Sequence, residues 1–130
     1  MIQISEAASL ALHGMLLLAG EQTQPRSAAE LAQTTNTSHA HFAKVMQRLT
    51  HAGLVQATRG PRGGYQLARP SDEITLLEVY EAIDGPVPTQ KCLHEEDACP
   101  FKHCIFGGVL VKATKEFREY LAGHTLKDLA

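Results

Sequence analysis

The sequence predicts a mainly α-helical fold with one small β-hairpin. Apolar residues recur at helical spacing in several segments, and two short apolar runs flank a turn rich in glycine at 59–64. The chain has 130 residues, of which 44% are hydrophobic, so it carries enough apolar surface for one core.

The first two helices are predicted from apolar spacing and polar caps. Residues 4–19 form one amphipathic stripe, and Ser5 is a suitable cap at its start. Residues 27–33 form a shorter helix, with Ser27 at the cap and Glu30 in the capping-box position three residues later.

A third helix and a hairpin follow. The third helix is expected at 38–51 with Ser38 as its cap, after a short polar turn. Two strands are expected at 54–58 and 65–68, joined by the glycine-rich turn.

The second half of the chain predicts two further helices separated by a long loop. A fourth helix is expected at 75–84, followed by an irregular loop at 85–103. A last, longer helix is expected from about Cys104 to Leu121, because an apolar stripe continues through that segment.

The order helix, turn, helix and hairpin, within about forty residues, is typical of a winged helix-turn-helix that binds DNA. Polar and cationic side chains lie where such a fold meets the major groove, and two arginines lie at the hairpin tip, where the minor groove is in reach. A winged helix can also serve as a protein-interaction module. The predicted DNA contacts are Ser38, His39, His41, Lys44, Arg48, Arg59 and Arg62.

The charge distribution is compatible with a DNA-binding protein. The net charge is −2, but residues 1–70 carry six Lys/Arg and three Asp/Glu, whereas residues 71–130 carry six and eleven. The two halves are therefore +3 and −5, which suits a protein that presents one face to phosphates.

Three cysteines, Cys92, Cys99 and Cys104, lie within thirteen residues; the predicted loop holds the first two and leads to the third. Thiolates suit an iron–sulfur cluster, zinc or copper(I), and their spacing lacks the paired CxxC knuckles of a zinc ribbon. Three cysteines could also form a thiol switch without a metal. Cysteines grouped in this way point to a metal or redox site rather than a disulfide framework.

Other classes of protein are not favoured. The sequence has no apolar run long enough to cross a membrane and no secretion signal, so a cytoplasmic protein without a membrane partner is expected. A cysteine nucleophile with His94 or His103 as base would define an enzyme, but no oxyanion-hole motif or phosphate-binding loop accompanies them. We therefore predict no enzymatic activity.

Three stretches, KVMQRLTHAGLVQATRGPRGGYQLARP, EITLLEVYEAIDG and the closing HTLKDLA, resemble the Rrf-two type of bacterial transcription regulators, the IscR- and NsrR-like iron–sulfur regulators. The resemblance covers nearly the whole chain. It implies a homodimer held by the long C-terminal helix and bound to a near-palindromic double-stranded DNA operator. It also implies an iron–sulfur cluster, 2Fe-2S or 4Fe-4S, on the three cysteines.

The resemblance leaves the fourth cluster ligand open. Where some members have a histidine after the last cysteine, this chain has Gly107, and where others have an aspartate in the first helix, this chain has Ser9. The candidates are then Glu6, one turn from Ser9, and the loop histidines His103 and His94.

These observations predict three functional parts. Residues 1–84 form the winged helix-turn-helix, 85–103 the cysteine-bearing sensor loop, and 104–130 the dimerisation helix and tail. The predicted function is a transcriptional regulator that senses cluster status, redox state or nitric oxide. The alternative is a cluster-free thiol-switch regulator.

Overall fold

The computed structural model describes residues 2–88 and 99–130. Its architecture is mainly helical with one two-stranded antiparallel sheet, as the sequence predicts. In chain order the elements are α1 (Glu6–Gly20), α2 (Ala28–Thr34), α3 (His39–His51), β1 (Val55–Thr58), β2 (Gly64–Leu67), a 3-10 turn (Ser71–Glu73), α4 (Leu76–Asp84), α5 (Val109–Gly123) and α6 (Leu126–Leu129).

The first four helices begin at hydroxyl caps. Each cap oxygen accepts the backbone N–H three residues later, which satisfies one of the unpaired donors of the first turn; the caps are Ser5, Ser27, Ser38 and Thr75. The predicted capping box of α2 is only half present. Ser27 caps the helix, but the Glu30 carboxylate pairs with the Arg26 guanidinium at 2.8 Å.

The core lies where α1, α3 and α4 meet. The inner face of α3 is fully buried, with Phe42, Val45, Met46 and Leu49 pointing into the core. Gly14 allows α1 to lie close to this face, because a Cβ there would come within 2.7 Å of the Met46 methyl carbon. Packing of this kind fixes the orientation of α3 relative to the rest of the chain.

The hairpin is held to the helical layer by a short third segment. β1 pairs with β2 from Val55 opposite Leu67 to Thr58 opposite Gly64. Arg26 then forms an antiparallel bridge to Tyr65, with both backbone N–H···O distances between 2.8 and 2.9 Å. The wing is therefore anchored close to its turn rather than projecting freely.

The predicted start of the last helix is wrong by five residues. Residues 104–108 form turns, and α5 begins at Val109. The apolar stripe continues through Ile105, but Gly107 and Gly108 have φ of 56° and 81°. This left-handed conformation is incompatible with a regular α-helix, so α5 can begin only after the two glycines.

The C-terminal segment shares the core of the helical layer. Leu121 and Leu126 are buried in the same apolar cluster as α1, α3 and α4. The Leu76 N–H donates to the His124 carbonyl and the Leu126 N–H to the Ile74 carbonyl, both at 3.0 Å. The division of the chain into three functional parts stays a prediction. Within residues 2–88 and 99–130, no helix combines the length and apolar character that a membrane crossing requires.

Candidate DNA interface and thiol site

A tight turn sets the direction of α3 relative to α2. Asn36 occupies the left-handed region at φ 53°, which asparagine tolerates better than most residues. The Thr37 N–H donates to the Ala32 carbonyl at 2.9 Å, and Ser38 then caps α3. The polar segment between the two helices is thus a defined helix-turn-helix corner.

The beginning of α3 presents polar side chains to solvent. Ser38, His39, His41 and Lys44 are all exposed, on the sides of the helix that the buried stripe leaves free. The Ser38 oxygen accepts the His41 N–H at 3.2 Å, so its hydroxyl hydrogen stays available as a donor. Their predicted contacts with DNA are compatible with this exposure.

Arg48 lies on the same helix but has a partner inside the protein. Its Nη2 donates to the backbone carbonyl of Ile83 at 2.5 Å, in the last turn of α4. Its role as a phosphate contact stays a prediction. The intramolecular bond gives Arg48 a second candidate role, within the protein itself.

The hairpin tip carries the other two predicted cations. Arg59 and Arg62 are exposed on a turn closed by a 2.9 Å bond from the Gly63 N–H to the Gly60 carbonyl. A Cβ at Gly63 would lie 2.1 Å from the Thr58 carbonyl oxygen, so the turn is accessible only to glycine at that position. The sequence thus places both guanidinium groups at the end of a rigid hairpin.

Arg26 is a site residue that sequence reasoning missed. Its Nη1 donates to the Leu17 carbonyl at 3.2 Å and its Nη2 pairs with Glu30 at 2.8 Å, while its backbone bridges Tyr65. It therefore joins the wing to α1 and α2. Only its pairing with Glu30, four residues later, is local; the contacts with Leu17 and Tyr65 depend on how α1 and the hairpin pack, and no local motif marks them.

Two of the three cysteines lie in the described part of the chain. Cys99 is half-buried and Cys104 is exposed, and both are free thiols. The Gly107 N–H donates to the Cys104 carbonyl at 3.0 Å, which places Cys104 at the first position of a turn. His103 is exposed beside it, and Cys92 and His94 lie outside the described residues.

The candidate fourth ligand Glu6 lies in a different place. It lines a groove of about 690 Å³ between α1 and the α2–α3 turn, together with Ser9, His13 and His41. Among the residues that the structure describes, no three His, Cys, Asp or Glu side chains approach closely enough to hold a metal ion. Glu6 and His103 are therefore not gathered with Cys99 and Cys104 within one chain.

The last turn of α4 joins several parts of the molecule just before the cysteine segment. The Tyr80 hydroxyl donates to the Gln3 carbonyl at 2.7 Å, and its ring meets Phe117 of α5 edge-on with centroids 5.4 Å apart. Burial raises the pKa of Tyr80, and the charges of Asp84 and Glu81 raise it further, so the phenol keeps its proton to a higher pH than an ordinary tyrosine does.

Comparison with known proteins decides the family. The model of the Rrf2 family, described as an iron-dependent transcriptional regulator, matches residues 4–130. The chain belongs to the Rrf2 family. This Rrf2 chain is 37% identical over 102 residues to protein aau3 of Rhizobium meliloti, covering 77% of this chain and 66% of the relative. It is 32% identical over 106 residues to the HTH-type transcriptional regulator CymR of Bacillus subtilis, covering 82% of this chain and 72% of CymR.

Solved structures of Rrf2 proteins have the same fold. CymR, the global cysteine regulator of B. subtilis, superposes with a TM-score of 0.84 at 31% identity, over 100% of this chain and 97% of that one. The IscR of T. potens superposes with a TM-score of 0.75 at 26% identity, over 98% and 85%.

Family membership confirms several predictions. The chain is a DNA-binding transcriptional regulator with a winged helix-turn-helix, and it is not an enzyme. Iron–sulfur binding, homodimerisation and the roles of the individual residues are matters for proposal.

Proposed function

We propose that this Rrf2 regulator binds a near-palindromic double-stranded DNA operator as a homodimer, and that the state of its three-cysteine site changes its affinity for that operator. One observation carries the proposal. The cysteine-bearing segment connects α4 to α5. The last turn of α4 bonds to α3, and α5 packs against α4 along one side only. A change at the cysteines therefore acts on both the DNA-reading helix and the helix that meets a second copy.

The apolar surface around α5 supports a homodimer. Within α5 only Leu121 is buried, although the helix contains several large apolar residues. Patches of exposed apolar side chains on a small protein are typical of an interface. The exposed members are Phe101, Ile105, Phe106, Val109, Val111 and Tyr120.

On the DNA side, the start of α3 is proposed to enter the major groove. Ser38, His39 and His41 are proposed to contact base edges or phosphate oxygens, and Lys44 to contact a phosphate. Arg59 and Arg62 are proposed to reach the adjacent minor groove from the wing, where narrow A·T-rich segments attract guanidinium groups. A dimer would read two such half-sites.

The proposed cofactor is an iron–sulfur cluster. Cys99 and Cys104 provide free thiols of the required chemistry, and Cys92 would provide the third. When bound, such a cluster supplies a redox-active group that oxygen or nitric oxide can damage. The fourth ligand is proposed to be Glu6, with His103 and His94 as alternatives. Since Glu6 is not gathered with Cys99 and Cys104 in the described part of its own chain, we propose that it reaches the site of the second copy.

A cluster-free thiol switch is the second candidate. It is favoured by the exposure of Cys104 and the partial exposure of Cys99, which leave both thiols open to oxidants in solution. A CymR of Staphylococcus aureus, 26% identical to this chain, has a structure described as its oxidised form. Both candidates place the sensor at the same cysteines, and we propose that the regulator acts in the cytoplasm, where operator DNA lies.

Anaerobic purification separates the two candidates. The cluster proposal predicts a brown protein with visible absorption and matched amounts of iron and sulfide. A colourless protein that takes up no iron after reconstitution with iron and sulfide contradicts it. Disulfide formation on addition of diamide, detected by mass spectrometry, would then support the thiol switch.

A further inference from the structure

The end of α4 contacts three other parts of the chain, which are α3, the N-terminal segment and α5. Arg48 of α3 donates to the Ile83 carbonyl at 2.5 Å. Carbonyls in the last turn of a helix have no partner within the helix, and a cation there also meets the negative end of the helix dipole. The bond is thus favourable on two grounds and ties α3 to the end of α4.

The same turn is fixed to the N-terminal segment. The two carboxylate oxygens of Asp84 accept the backbone N–H of Ser5 at 3.1 Å and its hydroxyl at 2.5 Å. Tyr80 donates to the Gln3 carbonyl and packs on Phe117. Residues 80–84 therefore form a junction of the N-terminal segment, α3 and α5, and the cysteine segment follows this junction in the chain.

The remainder of the α3–α4 contact is open. A shallow groove lies beside Arg48, lined by Lys44, Gln47, His51 and, from α4, Ala82. Within residues 2–88 and 99–130, the Arg48–Ile83 bond is the side-chain hydrogen bond that joins these two helices.

We propose that Arg48 is a positioning residue that transmits the state of the cysteine segment to the recognition helix, rather than a phosphate contact. A displacement at the end of α4 moves the Ile83 carbonyl, and the guanidinium bonded to it then shifts α3. This inference rests on the proposed function, because it needs both DNA binding and a cysteine-dependent response.

The salt dependence of DNA binding distinguishes the two roles. Removal of one phosphate-binding side chain reduces the slope of log affinity against log salt by about 0.9. The probe is a duplex selected from random DNA by the wild-type full-length protein, and the variants are Arg48→Met, Arg48→Lys and the matched control Lys44→Met. We expect Lys44→Met to lower the slope by about one per protomer, and Arg48→Met to leave it unchanged.

The second readout is the ratio of operator affinities between reduced protein and protein treated with diamide. If the wild-type ratio lies in the usual range of about 5 to 150, Arg48→Met should reduce it at least about threefold, while Lys44→Met leaves it intact. Arg48→Lys keeps a cationic donor group and should therefore retain part of the affinity ratio that Arg48→Met loses. Thermal unfolding of each variant checks that it is folded.

Different outcomes overturn different claims. An Arg48→Met protein whose salt slope falls by about one unit per protomer contradicts the positioning role, even if the wild type shows no response to diamide. An unchanged ratio in Arg48→Met also contradicts it. A wild type that selects no duplex, or whose affinity is the same in both states, contradicts the proposed function itself.

Discussion

At the scale of single residues, one ion pair has a pH dependence that can be measured. Arg69 contacts both carboxylate oxygens of Glu78, at 2.7 and 3.3 Å, and also donates to the Glu73 carbonyl. The Arg69 hydrogen bond lowers the pKa of Glu78 below its usual 4.5. Since the folded-state pKa is depressed, the pair stabilises the fold above pH 4.5 and loses this effect as pH falls through the folded-state pKa.

Glu78→Gln should therefore lower the free energy of unfolding at pH 7, and the effect should be smaller at pH 3. The effect should be small, because both side chains are about 40% exposed. Urea denaturation at the two pH values measures it. Glu119→Gln, in the looser Lys115 pair at 3.8 Å, is the control and should have less effect at pH 7. A Glu78→Gln difference of the same size at both pH values would contradict the account.

Gly64 shows how one residue determines the wing. Its φ is 153°, and a Cβ there would lie 2.1 Å from the Arg26 carbonyl oxygen, which is backbone and cannot easily move. The close contact is part of the bridge that anchors the hairpin.

Gly64→Ala should destabilise the protein by about 1–3 kcal/mol and weaken operator binding, because the wing must detach from Arg26. Thermal unfolding and DNA titration measure the two effects. Gly20→Ala is the matched control, since nothing lies within 4 Å of its Cβ position at the end of α1. Equal stability of the two variants would show that the wing tolerates the displacement.

At the scale of elements, local chemistry predicts helix starts better than it predicts contacts. Hydroxyl caps and apolar spacing give the starts of the first four helices within one or two residues. The same spacing misplaces the start of α5, because the glycine pair at 107–108 outweighs a continuing apolar stripe. The partner of Arg48, and the contacts of Arg26 with Leu17 and Tyr65, depend on how distant elements pack, and no local pattern contains that information.

The exposed face of α5 carries the prediction for the dimer. Val109 is 55% exposed, and we propose that a second copy covers it. Val109→Glu should weaken the dimer at least tenfold, equivalent to about 1.4 kcal/mol, because a carboxylate would be buried at the interface. Sedimentation equilibrium measures the dissociation constant. Lys112→Glu is the control, because it changes the charge more than Val109→Glu does and lies at an exposed position of the same helix. Equal weakening in the two variants would indicate a general charge effect instead.

At the scale of the whole molecule, we propose that the end of α4 connects a DNA-binding surface on α3 and the wing to a sensor at the cysteines. The start of α3 and the wing face solvent, while the last turn of α4 joins α3 to the segment that bears the cysteines. The function as a DNA-binding regulator was predictable from the order of elements. The proposed connection between the cysteine segment and α3 was not, because it depends on the backbone carbonyl of Ile83, and no sequence pattern identifies that carbonyl.

The operator affinity of one protein in two cysteine states tests the central claim most directly. Wild type and Cys104→Ser should be titrated with the same selected duplex, first as purified without oxygen and then after exposure to oxidant. The account predicts that wild-type affinity changes by about 5-fold or more between the states and that Cys104→Ser shows a single affinity in both. A Cys104→Ser protein that responds as the wild type does would show that the cysteine site does not control DNA binding.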